Sequence, residues 1–137
     1  KFSNSTNTPI ILDESFLRYE HFNQIESSPK NWLINLRISK MGGILRSIEI
    51  ANQAENLGLP LIIGAQVGET SILSRAALSI ANHYRDLVTA QEGAFGTYLL
   101  EKDITEDPIM FGKGGVLESS SITTNSYGWG INVRALE

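Results

Sequence analysis

Residues 34–43, with the sequence INLRISKMGG, constrain the fold more than any other part of the chain. Apolar residues beginning with Ile34 alternate with polar residues that include Asn35 and Arg37. Successive side chains of a strand point to opposite faces, so the pattern predicts a strand with one apolar and one polar face. The Gly-Gly pair predicts a turn into the next segment and places the polar residues near the carboxyl end of the strand. In parallel α/β folds, functional residues lie at that end.

Strand-like and helical segments alternate along the chain, with short connections. The predicted strands are residues 9–12, 32–39, 60–63 and 86–90. The predicted helices lie between Ser15 and Ser27, over residues 44–57 and over residues 72–83. This order predicts a parallel sheet with helices outside it, either a small open sheet or half of a (β/α)8 barrel. The polar face of the second strand favours the barrel, because helices cover both faces of an open parallel sheet.

Hydrophobic periodicity makes the second helix the clearest of the predicted helices. The residues at helical spacing are Ile44, Ile48, Ala51 and Ala54. Gly58 follows them and is expected to end the helix. From about residue 103 the alternation is lost, and we expect a hairpin turn over residues 112–115, a polar loop over residues 119–124 and a last short strand over residues 129–133.

Composition narrows the possible functions. The net charge of −4 and pI near 5.2 argue against a nucleic acid or an anionic membrane as partner. The chain has no cysteine, which excludes a disulfide, a thiolate metal site and a cysteine nucleophile within it. No apolar stretch reaches the length of a membrane span, so we expect a cytoplasmic protein.

Polar and charged residues lie at the carboxyl end of each predicted strand: Asp13 with Glu14, Arg37 with Lys40, Gln66 with Glu69, and Gln91 with Glu92. Acids and bases that converge at the carboxyl ends of barrel strands are what an active site requires. Asp13 offers the oxygen ligand that Mg²⁺ prefers, although a helix-capping role is an alternative. Since neighbouring strand residues point in opposite directions, Asp13 and Glu14 are not expected to face one ion together.

The other charged residues suit different roles. Arg37 is permanently protonated, so it is suited to holding a carboxylate or stabilising charge and not to acting as a base. Lys40 is the better base, but strand alternation turns it away from Arg37 unless the strand has already ended. Glu69 and Glu92 are candidate proton donors or, alternatively, residues that hold the neighbouring helix ends. His21 and His83 are predicted to lie on the surface.

Four motifs, in this order and spacing, resemble the C-terminal part of the barrel domain of the enolase superfamily, in its mandelate racemase and muconate lactonizing enzyme branch. The motifs are residues 12–15 (LDES), 35–43 (NLRISKMGG), 64–70 (GAQVGET) and 99–104 (LLEKDI). The resemblance implies an α/β fold, with residues 9–105 as the second half of a (β/α)8 barrel. Residues 1–8 would then be a linker or the end of a preceding βα unit, and residues 106–137 an extension that packs on a capping domain.

The resemblance also implies a function. These enzymes use Mg²⁺ and remove the α-proton of a carboxylate substrate to form a metal-stabilised enolate, in dehydratase, cycloisomerase or epimerase reactions. By position, Asp13 resembles the third metal ligand, and the other two ligands and a lysine pair are expected upstream of Lys1. Lys40 matches the lysine before the Gly-Gly turn, whereas Glu69 and Glu92 match acids near the ends of the seventh and eighth strands.

Arg37 stands where many relatives carry a second catalytic lysine, and this departure weakens the case for two-base racemisation. A one-base reaction is compatible with it, and the alternative is a non-catalytic barrel that binds a small carboxylic acid or has a structural role. The isolated chain is expected to be inactive and to need the missing N-terminal half or a second chain. We also expect a homo-oligomer, a small carboxylate as the substrate, and neither nucleic acid nor membrane as a partner.

Overall fold

A four-stranded parallel sheet organises the chain. The computed structural model describes residues 2–25, 29–93, 96–117 and 127–135. The strands are β1 (Ile10–Leu12), β2 (Trp32–Leu36), β3 (Leu61–Ile63) and β4 (Val88–Gln91). Each strand pairs in parallel with the next one along the chain, so that β1 and β4 form the two edges. Sequential parallel strands joined through helices are the arrangement found in half of a (β/α)8 barrel, and the predicted fold class is confirmed.

Helices connect the strands and cover the sheet. The α-helices are α1 (Phe2–Thr6), α2 (Ile38–Met41), α3 (Ile44–Leu57), α4 (Ser71–His83) and α5 (Gly96–Leu99). Short 3₁₀ helices span Tyr19–Gln24, Pro29–Asn31 and Lys113–Gly115. Helix α3 has the predicted bounds because Gly58 adopts the left-handed conformation, with a φ of 63°, that ends a helix. Where an α-helix was predicted between β1 and β2, by contrast, the described residues up to 25 form only the 3₁₀ helix Tyr19–Gln24.

The core lies between the sheet and the inner faces of α3 and α4. The buried residues of α3 are Ser47, Ile50, Ala51 and Ala54, whereas Ile44 is partly buried against the core. The hydroxyl of Ser47 donates to the carbonyl oxygen of Gly43 at 2.9 Å, and this local bond lets a small polar residue lie in the core. Ile44 and Ile48 also border a cavity of about 310 Å³ that residues of α3 and α4 line together with Trp129.

The second strand ends earlier than its alternating pattern predicts. The carbonyl oxygen of Arg37 accepts bonds from the N–H groups of Lys40 and Met41, at 2.9 and 3.0 Å, so β2 ends at Leu36, Arg37 caps α2 and the helix begins at Ile38. Met41 and the Gly-Gly pair therefore end the short helix α2 and not the strand. The polar side chains of Asn35 and Arg37 are both buried, as expected for residues inside a barrel and not for an exposed edge.

The segments outside the sheet are short and irregular. Residues 2–6, in the segment predicted to be a linker or the end of a preceding βα unit, form α1. Ser3 Oγ donates to Asn31 Oδ1, and Asn31 Nδ2 donates to Asn4 Oδ1, so both bonds fasten α1 to Asn31. The hairpin turn is confirmed, since a bridge between Phe111 and Leu117 encloses the 3₁₀ turn. The predicted strand at residues 129–133 is reduced to one bridge between Val133 and Thr105, and the predicted polar loop at 119–124 lies outside the described residues.

The helices of this chain are short. Within the ranges that the structure describes, none is both long enough and apolar enough to cross a membrane.

Candidate active site

Two acidic residues follow β1 and reach the same guanidinium group. The strand ends at Leu12, and the N–H of Phe16 donates to the carbonyl oxygen of Asp13 at 3.2 Å, which closes a turn. Arg37 Nη2 donates to Asp13 Oδ1 and, at 2.7 Å, to Glu14 Oε1. The prediction that Asp13 and Glu14 point in different directions is wrong, because the alternation of side chains stops where the strand stops.

Lys40 joins the same network. One turn of α2 separates it from Arg37, and its Nζ donates to Glu14 Oε1 at 3.0 Å. The hydrogen bonds from Arg37 and then from Lys40 lower the pKa of Glu14 to about 2, which keeps this carboxylate ionised at neutral pH. The exposed fraction of the side chains rises from 10% for Arg37 to 27% for Lys40 and 70% for Glu14. The network therefore extends from the interior to the surface.

Glu69 lies on the loop between β3 and α4. Its Oε2 accepts a bond from the N–H of Gln66 at 2.9 Å. Burial raises the pKa of Glu69 above its ordinary value, by more than this bond lowers it. Glu69 and Arg37 line the same narrow crevice, together with Gly64 and Leu73. A carboxyl group with a raised pKa in such a crevice is suited to donating or accepting a proton.

Gly64, directly after β3, leaves room for the side chains of Asn35 and Arg37. A Cβ atom at position 64 would lie 2.0 Å from Asn35 Oδ1 and 2.6 Å from Arg37 Cγ. Three buried polar atoms around the crevice have no hydrogen-bond partner in the described part of the chain: Asn35 Oδ1, Arg37 Nε and Glu69 Oε1. Because buried polar atoms are normally paired, these atoms are candidates for contact with water, substrate or further barrel residues.

Glu92 is placed apart from the ion-pair network. Its N–H donates to the carbonyl oxygen of Ile63 at 2.8 Å, and its Oε2 accepts a long bond of 3.4 Å from the N–H of Ala65. These bonds tie the end of β4 to the end of β3. The side chain is exposed, and it borders the loop that carries Glu69.

Asp13 fits one ligand position of a magnesium site. It provides a hard oxygen at the carboxyl end of a strand, as Mg²⁺ requires, and its side chain is 37% exposed. Over the described ranges, no three His, Cys, Asp or Glu side chains lie close enough to hold a metal ion. The residues present therefore match a single carboxylate ligand and not a complete metal site.

No role was predicted for Asp103, and Glu14 was predicted only as one of the acids at the end of the first strand. Glu14 links Arg37 to Lys40, and the signal for this was the turn-forming DES sequence directly after a short strand. Asp103 contacts Ser71 and Thr105 and thereby attaches the segment after β4 to the start of α4. His21 is half-buried and accepts a bond from the N–H of Leu17 at 2.9 Å, so its predicted surface position is only partly correct.

The chain is therefore part of a (β/α)8 barrel that has charged residues at the carboxyl ends of its parallel strands. The family model described as "Enolase C-terminal domain-like" matches residues 1–136, and the chain belongs to this family. Membership in the enolase superfamily, expected from the four motifs, is confirmed.

Similar proteins are isomerases by name. The chain is 25% identical over 134 residues to an "L-amino acid-D/L-Glu epimerase" of Francisella philomiragia, covering 97% of this chain and 34% of the relative. It is 29% identical to an "N-succinyl-L-Arg/Lys racemase" of Bacillus cereus, over 72% of this chain and 26% of the relative. The substrate-liganded L-Ala-D/L-Glu epimerase from Bacillus subtilis matches with a TM-score of 0.72 and 26% identity, over 97% of this chain and 35% of that structure. The chain thus spans between about a quarter and about a third of the length of these proteins.

Proposed function

We propose that this chain forms the C-terminal part of the barrel of a Mg²⁺-dependent enzyme that removes the α-proton of a carboxylate substrate to form an enolate. The observation that carries the proposal is the contact between Arg37 and Asp13, at the carboxyl ends of two neighbouring parallel strands. This is where barrel enzymes place their catalytic groups. Members of the enolase superfamily generally use Mg²⁺, and Asp13 supplies an oxygen ligand of the required kind.

Each side chain has a role that follows from its chemistry. Asp13 would hold Mg²⁺, which supplies positive charge that favours the enolate. Arg37 remains charged at every relevant pH, so it binds the substrate carboxylate or stabilises negative charge without taking the proton. The candidates for proton transfer are Lys40, which contacts the exposed Glu14, and Glu69, whose pKa is raised by burial. Glu92 is an additional acid beside the Glu69 loop.

We propose a reaction in which one base acts on one face of the substrate. Racemisation through two bases needs a proton acceptor on each face of the α-carbon, and an arginine is a poor acceptor. Dehydration, cycloisomerisation or a single-face exchange therefore fits Arg37 better than free racemisation. The names of the similar proteins indicate which acids to test first, namely dipeptides and N-succinyl amino acids.

Exchange of the α-proton for deuterium tests the proposal. The protein in its full natural length is incubated in D₂O with Mg²⁺ and a panel of dipeptides and N-succinyl amino acids, and the α-proton signal is followed by NMR. We expect Mg²⁺-dependent exchange that Asp13→Asn abolishes and that Asp86→Asn, at an exposed position outside the network, leaves unchanged. No exchange of any acid, with Mg²⁺ shown to bind, would refute the proposal.

The second candidate is a non-catalytic barrel that binds a small carboxylic acid. The pairing of Arg37 with two carboxylates favours it, because this residue is already neutralised and a lysine base is absent at its position. Tight binding of an acid by calorimetry, without exchange of its α-proton, would identify this case.

We also propose that further barrel strands complete the site, because β1 and β4 are edge strands and exposed edges favour pairing with another strand. These strands would come from a longer polypeptide or from a second chain. The expected homo-oligomer and the cytoplasmic location stay predictions, and a native mass measurement tests the former.

A further inference from the structure

The charge of Arg37 is divided between two acids of different exposure. A single nitrogen atom, Nη2, donates both to Asp13 Oδ1 and, at 2.7 Å, to Glu14 Oε1. The guanidinium is almost buried and has no neutral form in proteins, so it requires a carboxylate partner in every state of the site.

The two acids are not equivalent. Asp13 follows β1 directly and is the candidate metal ligand, whereas Glu14 lies one residue further along and is 70% exposed. Lys40 Nζ also donates to Glu14 Oε1, at 3.0 Å, and thereby restrains the Glu14 carboxylate beside Arg37. Arg37 consequently has a second carboxylate partner at hand whenever Asp13 binds something else.

We infer that Glu14 is a positioning residue that holds Arg37, so that the carboxylate of Asp13 can bind a divalent cation. A metal ion on Asp13 and a guanidinium on the same carboxylate repel each other. With Glu14 as its partner, Arg37 keeps a counter-charge in place while Asp13 gives up the ion pair. The inference rests on the proposed function, because it takes Asp13 as a metal ligand.

A double-mutant cycle on Mg²⁺ affinity tests this role in the protein in its full natural length, without substrate. Calorimetry gives the Kd for the wild type, Glu14→Gln, Arg37→Met and the double variant. We expect Glu14→Gln to weaken Mg²⁺ binding at least about tenfold when Arg37 is present, as is typical of residues that support metal ligands. In the Arg37→Met background the same change is expected to alter Kd less than about twofold, because no guanidinium competes for Asp13.

Controls separate this role from a general effect of charge. Glu49→Gln removes one negative charge from the exposed side of α3 and is expected to leave Kd unchanged. Glu14→Asp keeps the charge and is expected to restore part of the affinity. Arg37→Gln replaces Arg37→Met in the cycle if circular dichroism shows that the methionine variant does not fold.

The outcomes also separate this inference from the proposed function. Equal losses of affinity in both backgrounds, or no loss in Glu14→Gln, would overturn the role of Glu14 while leaving Asp13 as a metal ligand. Absence of Mg²⁺ binding by the wild type, or unchanged binding by Asp13→Asn, would overturn the proposed function and this inference with it.

Discussion

Asp103 binds the first turn of α4 through Ser71. One oxygen of the Asp103 carboxylate accepts bonds from the N–H and the hydroxyl of Ser71, at 3.0 and 2.8 Å. The other oxygen accepts bonds from the N–H and hydroxyl of Thr105, at 2.9 and 3.0 Å. Ser71 Oγ in turn accepts a bond from the N–H of Ile109 at 2.8 Å. The segment after β4 is therefore fastened to the helix that follows the Glu69 loop.

Asp103→Asn is expected to lower the free energy of unfolding by about 1–3 kcal/mol. An amide has one acceptor oxygen where the carboxylate has two, so either the Ser71 pair or the Thr105 pair of donors loses its partner. Urea denaturation measures the change. Asp107→Asn, the same substitution at an exposed site nearby, is the matched control, with an expected change within about 0.5 kcal/mol. Equal effects of the two variants would contradict the role of Asp103.

The contribution of Asp103 should also depend on pH. Desolvation raises its pKa, but the four hydrogen bonds outweigh desolvation and the pKa lies below its ordinary value. The folded state therefore binds the proton less tightly than the unfolded state, so the stabilisation is complete above the unfolded pKa of about 3.9 and is lost as pH falls through the lower folded pKa. The difference in stability between wild type and Asp103→Asn should be constant from about pH 5 to 7 and should shrink below about pH 4. A constant difference at all pH values would contradict this assignment.

Gly64→Ala is expected to disturb the site directly. The added Cβ atom would lie 2.0 Å from Asn35 Oδ1, so Asn35 and Arg37 must move or the two strands must separate. Overpacking of this kind costs about 1–3 kcal/mol of stability and should also reduce α-proton exchange. Gly112→Ala is the control, because its Cβ would be no closer than 3.4 Å to another residue and its φ is −81°. Thermal unfolding of both variants checks the prediction, and similar melting temperatures would contradict it.

Glu69→Gln should separate stability from activity. Burial raises the pKa of Glu69, so the folded state binds the proton more tightly than the unfolded state. The stabilisation that comes from this tighter proton binding is present below the unfolded pKa of about 4.3 and is lost as pH rises through the folded pKa. At pH 7 the glutamine variant is therefore expected to melt at a higher temperature than the wild type while losing proton-transfer activity. A lower melting temperature at pH 7 would contradict a destabilising buried charge at this position.

The four strands and the helices α3 and α4 could be predicted from the sequence, whereas the end of β2 and the contacts of the ion-pair network could not. Helix α3 was predicted with its correct bounds because its period and Gly58 are local signals. The end of β2 was misplaced because Ile34 and Ile38 fit both an alternating strand and a strand followed by a helix, and Ile38 is buried in α2. The contact of Glu14 with Arg37 joins residues 23 positions apart and depends on where two strands end, which no local pattern encodes.

Separate measurements on the two enantiomers of one acid test most directly whether a single base removes the α-proton. Each enantiomer of an N-succinyl amino acid or dipeptide that the protein accepts is incubated in D₂O with Mg²⁺, and α-proton loss and interconversion are followed by NMR and chiral chromatography. The proposed single base, with Arg37 in the place of a second one, predicts Mg²⁺-dependent exchange of one enantiomer without conversion into the other. Exchange of neither enantiomer would contradict α-proton removal itself, and rapid interconversion would contradict the assignment of a single base.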